Sequence, residues 1–335
     1  MNILIISNMY PSKQKPFSGI FVKNQYEYLK SELKLDIDIY ALPRSFTSTL
    51  KSVLKYLKFY LGFISFLFRS YNVIHVHFFG YHYFLGVLYK IFNPSTKLIV
   101  TVHGSDTQNF RKTIFSFFKT FINHIIAVGE EQAEEIKKIS GFKSISVIPA
   151  GIDNRVFYKE ETEKIYDFIF VGSFYEIKGI DILIDAIKVL QEPNLKFCFV
   201  GSGKYDKQIK HLQEICNIQL RKDISQNQIR ILLNQSKYLV LPSRGDSFGL
   251  VVSEAMYCGT PAIVSNFGGM KDQVRHEING FILSENTPEI LAKTIDHAKK
   301  IEEYEYSKMS SKALKSNKQF SMKNTIFELL QIYQS

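Results

Sequence analysis

Short apolar, β-branched runs alternate with longer stretches of helical period along the chain. In the first part the runs fall at 2–7, 36–41, 72–76, 97–102, 124–128 and 145–148. Their apolar residues are consecutive, which predicts strands buried on both faces, and the helical stretches between several of them complete a parallel α/β pattern. The pattern stops at 154–166, Asn-Arg-Val-Phe-Tyr-Lys-Glu-Glu-Thr-Glu-Lys-Ile-Tyr, a polar and charged run where a linker is expected. A second alternation follows, with strands from 167 and at 196–200, 238–241, 262–264 and 280–283. Helices are expected over 180–191, 204–215, 226–235, 249–257 and 287–300. Near the end of the chain, Ile326, Leu329, Leu330 and Tyr333 share one helical face. That helix either closes the second domain or crosses back to the first.

The expected architecture is α/β: two doubly wound, Rossmann-like domains, 1–155 and 156–317, followed by a C-terminal helix in 318–335. Two such domains facing each other place a ligand cleft between the carboxyl ends of their sheets. A length of 335 residues agrees with two cores rather than one. The start, Met1 to Ile6, reads as a strand and not as a signal peptide. The longest apolar run, Phe59 to Phe68, contains Gly62 and Ser65 and is about half of what a membrane span needs. Cys198, Cys216 and Cys258 have neither disulfide-framework nor metal-ligand spacing, which points to a reducing, cytoplasmic setting.

Charge adds a bias that composition alone hides. The chain carries a net +10, and residues 1–128 hold fifteen basic against five acidic residues, so the whole excess lies there. Between Asp38 and Asp106 there are seven basic residues and no acidic one. Such a one-signed field attracts polyanions or anionic lipid, although compositional drift toward lysine would produce it too. Lys51, Lys55 and Lys58 recur at helical spacing before Phe59, Tyr60, Phe63, Phe66, Leu67, Phe68 and Arg69, and Phe110 to Phe121 repeats the theme. This is either a membrane-surface element or a core-facing helix with lysines on its wet side.

The densest chemical cluster is Arg244-Gly245-Asp246-Ser247-Phe248-Gly249-Leu250-Val251-Val252-Ser253-Glu254, directly after the strand ending at Leu241. A strand, a Gly-containing loop and a helix N-terminus make an anion site, because free backbone N–H groups and the helix dipole favour negative charge. Carboxylates at Asp246 and Glu254 fit such a site if the ligand also carries hydroxyls, as a nucleotide sugar does. Gly259-Thr260-Pro261-Ala262-Ile263-Val264 follows, then Gly268-Gly269-Met270. No Gly-x-Gly-x-x-Gly follows the first strand, which excludes a dinucleotide fingerprint there.

Asp246 to Val264 resembles the donor-site signature of the retaining GT-B glycosyltransferases of glycosyltransferase family 4, whose two acidic positions are both Glu. Other stretches match in the family's order. Val171-Gly172-Ser173-Phe174 with Lys178-Gly179 resembles the diphosphate-gripping segment; Lys178 matches, and Ser173 stands where the family has Arg, so Arg244 or Lys271 would have to compensate. Val102-His103-Gly104-Ser105-Asp106 resembles the His-Gly-x-Asp loop, whose His lies near the reacting sugar. Met9 to Ser12 and Phe17 to Gln25 match the opening loop and first helix, where Gly19 would let backbone approach a phosphate. Ile74-His75-Val76-His77 matches a buried strand and its histidines read as structural. Val147 to Asp153 with Phe157 matches the segment before the linker.

The resemblance implies an EC 2.4 enzyme of hexosyltransferase type. It would move a sugar from a nucleotide diphosphate sugar to a hydroxyl of a glycan or lipid-linked glycan with retention, in surface polysaccharide biosynthesis. The first domain would bind acceptor, with loops such as 42–50 and 78–85 setting selectivity, and the second would bind donor. His103, Asp246 and Lys178 would serve catalysis. Gly19, Ser173, Lys178, Asp246, Phe248, Gly249, Leu250 and Glu254 would hold the donor. No cofactor and no metal are expected, since Asp36-Ile37-Asp38 lies within a strand. The partners expected are donor, acceptor and an anionic membrane surface, but no nucleic acid. Two alternatives stay open: a nucleotide-sugar epimerase on the same fold, and a non-enzymatic polyanion- or membrane-binding protein.

Overall fold

The computed structural model describes residues 1–12, 18–43, 49–214 and 216–335. Residues 13–17, most of the loop 42–50 and the side chain of Lys51 lie outside this description. The chain divides into two compact units. The first is Met1–Gly151 together with Met322–Ser335, and the second is Ile152–Ser321.

The first unit holds β1 (Asn2–Tyr10), β2 (Asp36–Pro43), β3 (Val73–His77), β4 (Lys97–Val102), β5 (His124–Ala127) and β6 (Ile145–Val147). They pair in parallel in the order β2-β1-β3-β4-β5-β6. Successive side chains of a strand point to opposite faces, so each consecutive apolar run feeds two cores. Leu4, Ile6, Ile74, Val76, Leu98 and Val100 meet Phe59, Phe63, Tyr83 and Phe115 from the helices on one face. Ile3, Ile5, Val73, Ile99 and Ile126 form the other core, against Val22 and Leu29 of helix Ile20–Ser31 and Ile326, Leu329, Ile332 and Tyr333 of helix Met322–Gln334. The C-terminal helix thus belongs to the first unit. The Thr325 hydroxyl donates to the Pro149 carbonyl at 3.1 Å, and the Tyr333 hydroxyl lies 2.6 Å from His75 Nδ1.

The second unit holds β7 (Tyr166–Val171), β8 (Lys196–Val200), β9 (Asn217–Arg221), β10 (Ser236–Leu241), β11 (Ala262–Ser265) and β12 (Gly280–Leu283). They pair in parallel in the order β12-β11-β10-β7-β8-β9. The chain enters and leaves this unit side by side, since the Ile152 amide donates to the Phe320 carbonyl at 2.9 Å.

Two expectations need correction. The first unit ends at 151 and not at 155, and the C-terminal piece that rejoins it begins at 322 and not at 318. The charged run 154–166 is not a free linker but part of the second unit. The Glu160 amide donates to Asn234 Oδ1 at 2.7 Å, Glu160 pairs with Arg230, and Lys164 Nζ donates to the Asn234 and Ser236 carbonyls at 2.8 and 2.9 Å. Its charges sit on a surface strap anchored by these partners.

Candidate functional site

In the second sheet, β7 has β8 on one side and β10 on the other, so the order of connection reverses between β7 and β10. Loops leaving the carboxyl ends of two such strands open a crevice that takes ligands in doubly wound sheets. Here the loops 172–179 and 242–249 are tied together. The Ser243 hydroxyl and the Arg244 amide both donate to the Ile177 carbonyl, each at 2.8 Å. Gly179 has φ +68°, and a Cβ there would collide with the Pro242 carbonyl oxygen, so only glycine allows this approach. A third loop, after β11, joins them through the Gly269 amide, which donates to the Ser247 carbonyl at 2.9 Å. Gln273 donates to the Phe248 and Gly269 carbonyls and accepts from the Ser253 hydroxyl at 2.6 Å.

This brings Lys178, Asp246, Phe248, Gly249, Leu250 and Glu254 to one region. Lys178 Nζ donates to Asp246 Oδ1, while Asp246 Oδ2 is buried without a hydrogen-bond partner. A buried oxygen with no donor is rare and calls for an explanation. The Phe248 ring is buried and packs edge-on to Phe320 with centroids 5.2 Å apart. Helix Leu250–Tyr257 begins after Gly249 at φ +75° with no side-chain cap and no acidic residue in its first turn; the Val252 amide donates to the Gly249 carbonyl at 2.9 Å, which leaves the Leu250 and Val251 amides to an anion. The side chain of Glu254, the fifth residue of that helix, makes no hydrogen bond or ion pair to the described residues. Desolvation pushes its carboxyl up to about 7.

Ser173 is exposed and offers no cation. Arg244 is already committed: its guanidinium grips Asp181 through two hydrogen bonds of 2.7 Å and donates to the Glu176 carbonyl at 2.6 Å. Lys178 is a cation that these loops place beside Asp246. The pair is 68 residues apart in sequence, and no local pattern signals it.

His103 and Gly19 lie in the first unit. His103 follows β4, and its Nε2 sits 3.1 Å from Nδ1 of His77, the last residue of β3. The ring is flanked by Phe21 and Phe78 at centroid distances of 4.6 and 4.5 Å. Asp106 holds the loop, since its carboxylate accepts from the amides of Phe79 at 2.7 Å and His103 at 3.0 Å. That positioning role went unread in the sequence, as did the contact of His77 with His103. Gly19 has φ +71° and backs onto the Met9 carbonyl, joining β1 to the first helix. Among the described residues no cluster of three or more metal-ligand side chains occurs.

His75, His77, His82 and His103 are all held neutral. Burial lowers each, His75 and His103 well below the usual imidazole value, His77 to about 3 and His82 to about 4. Below 6.5 the unfolded chain binds protons that these imidazoles refuse, so their contribution is complete above that pH and is lost as pH falls. Each such group removes about 1.4 kcal/mol per pH unit until its own folded pKa is reached. Calorimetry of the full chain between pH 7 and 5 should show the first-unit transition falling ahead of the second; a constant transition would contradict this.

Comparison with known proteins follows the two units. A model described as Glycosyl transferases group 1 matches residues 153–316, and one described as Glycosyltransferase Family 4 matches residues 20–155. An uncharacterized glycosyltransferase of Methanocaldococcus jannaschii is 27% identical over 362 residues, covering 99% of this chain and 99% of its own length. A Bacillus subtilis glycosyltransferase named for teichuronic acid biosynthesis is 28% identical, covering 81% and 82%. Among solved structures, sucrose-phosphate synthase of Thermosynechococcus elongatus superposes with a TM-score of 0.81 at 18% identity, covering 100% of this chain and 98% of that one. Anabaena HepE in complex with UDP-glucose gives 0.78 at 15% identity, with both chains fully covered. These likenesses show the GT-B fold.

Proposed function

We propose, from the premise that the chain belongs to the GT4-type glycosyltransferases of the GT-B fold, that it transfers a sugar from a nucleotide diphosphate sugar to a hydroxyl of a glycan or lipid-linked glycan. The observation that carries the donor assignment is the second-unit site: an uncapped helix N-terminus beside a Lys178–Asp246 pair, with the unpartnered Glu254 carboxylate on the same helix. The open amides and Lys178 suit the two phosphates of the donor and the charge that grows on the departing nucleoside diphosphate. Glu254 lacks donors, and ribose hydroxyls would supply them. The buried Oδ2 of Asp246 would accept from a sugar hydroxyl. A structural neighbour was solved with UDP-glucose, which supports this donor class. A sequence relative named for teichuronic acid biosynthesis supports a surface polysaccharide setting.

His103 would meet the transferred sugar through a neutral imidazole, as donor or acceptor of a hydrogen bond. Transfer with retention is part of the reading, with no protein nucleophile assigned. The reaction is then carried by placement and by stabilisation of the leaving group, for which no divalent cation is invoked.

Thermal-shift titration with nucleotides and nucleotide sugars tests the site. One nucleoside diphosphate series should raise the midpoint of the wild type and leave Glu254→Ala unmoved. Sugar interconversion without any acceptor would favour an epimerase. Polyanion binding that ignores Glu254, with no nucleotide effect, would favour a binding protein.

The Glu254 carboxyl also predicts a pH profile. Hydroxyl donors stabilise its charged form, so the complex holds fewer protons than the free protein. Affinity for a nucleotide sugar, whose phosphates do not titrate near neutrality, should rise about tenfold from pH 6 to pH 8. Glu254→Gln should bind more weakly with no such slope; an unchanged slope would assign the titration elsewhere.

A further inference from the structure

We infer that one face of the first unit is a docking surface for an anionic lipid bilayer. The helices Thr49–Gly62, Tyr83–Phe92 and Thr113–Phe118 and the 3-10 segment Phe63–Phe68 all pack inward on the same side of the first sheet. Among the described residues their outer sides carry large apolar side chains as well as lysines. Leu54, Leu57, Leu61, Ile64 and Phe68 recur at intervals of three and four residues and are 50, 53, 56, 49 and 87% exposed. This is a second apolar stripe, pointing away from the one that Phe59 and Phe63 bury. Among the described residues, twelve of the twenty-four exposed large hydrophobic side chains lie between 54 and 117. Phe92 and Phe117, at 68 and 75% exposure, extend the surface onto the neighbouring helices. The helices adjoin: the Tyr83 hydroxyl donates to the Phe118 carbonyl at 2.8 Å, and the Phe84 and Phe115 rings stack at 5.3 Å.

An apolar surface of this kind on a water-exposed domain marks a binding site, and its charge identifies the occupant. Residues 39–105 contain no carboxylate side chain. Lys55 and Lys58 flank the stripe, and Arg111 and Lys112 precede Ile114 and Phe117. The Asp38 carboxylate at the edge is taken by Arg69 at 2.8 Å. Aliphatic and aromatic side chains that enter the headgroup boundary, ringed by lysines that meet anionic headgroups, are the composition of an interfacial element. Among the described residues no helix is long and apolar enough to cross a membrane, so the contact is with the surface. Loop 78–82, beside His103, leads into helix Tyr83–Phe92 of this layer, so the proposal deepens the transferase reading: an acceptor anchored in the same bilayer would be presented to the first unit.

Flotation of the full chain with vesicles tests it. Binding should be strong on phosphatidylglycerol-containing vesicles and weak on pure phosphatidylcholine, and should fall as salt is raised. Leu57→Glu combined with Leu61→Glu, and separately Lys58→Glu, should each lower partition about tenfold or more, with melting unchanged because all three side chains are exposed. Equal binding to both lipids, or variants that bind like the wild type, would overturn the inference. So would a concentration-dependent dimer dispersed by the double variant in a chain that ignores vesicles, which would assign the face to a second copy. Nucleotide-sugar thermal shifts run on the same samples keep the two readings apart. Vesicle binding without a nucleotide effect removes the transferase reading alone, and the reverse removes the docking surface alone.

Discussion

Lys178→Ala is expected to lower the kcat for nucleoside diphosphate release about 10²–10³-fold, the usual effect of deleting one preorganised group that stabilises developing negative charge. The expectation follows from how tightly the structure places this lysine. It sits where two loops at the switch point of the second sheet are fused through the Ile177 carbonyl and the Gly179 approach to Pro242, and its ammonium is pinned by Asp246. Arg244 does not substitute, because Asp181 and the Glu176 carbonyl hold its guanidinium. Alanine also strands Asp246, whose second oxygen is already without a donor. Asp246→Asn should therefore be partly epistatic to Lys178→Ala, with the double variant losing less than the product of the two singles. Initial rates of nucleoside diphosphate release measure all three. A Lys178→Ala enzyme within twofold of the wild type would remove this side chain from leaving-group stabilisation.

Deleting 322–335 is expected to abolish folding of the first unit while the second unit keeps its own transition and its nucleotide response. The helix Met322–Gln334 buries Met322, Ile326, Leu329, Ile332 and Tyr333 against the first sheet. At about 1.5–3 kcal/mol per buried large side chain, the loss is on the order of 10 kcal/mol, comparable to the whole stability of a domain. Calorimetry should show one transition in place of two, and limited proteolysis should leave a fragment starting near Ile152. The milder Tyr333→Phe leaves His75 Nδ1 buried and short of a partner, which costs about 1–3 kcal/mol. Two transitions surviving the deletion would mean that the helix is an accessory.

The strands were readable because parallel sheets covered on both sides need consecutive apolar residues, as in Ile3-Leu4-Ile5-Ile6. The edge strand Asn217–Arg221 was not foreseen, since Asn-Ile-Gln-Leu-Arg has only two apolar positions and pairs on one side alone. Helix Glu303–Ser316 escaped for a similar reason: its buried face is Tyr306, Met309, Ser310 and Ala313, too sparse and too polar to stand out. The ordered motifs of the second half located the loops of the candidate site, because strand–loop–helix geometry is local. What the sequence left hidden is pairwise and distant: Lys178 with Asp246, Arg244 with Asp181, His77 with His103. Asp106 shows the same limit in miniature, since only the fold reveals that its carboxylate holds the amides of Phe79 and His103.

The paired crossings at 151–152 and 321–322 carry a consequence for synthesis. The second unit is a single unbroken segment, 152–321, while the first is interrupted by it. As the chain is made, the second face of the first sheet is covered by helix Ile20–Ser31 alone until residues beyond 321 follow. The second unit can close as soon as its own last helix appears. Of the two units, the one translated first is therefore the one finished last, and until then the sheet bearing Ile3, Ile5, Val73 and Ile99 waits with an apolar face only partly covered, exposed to aggregation or to the holding chaperones that suppress it.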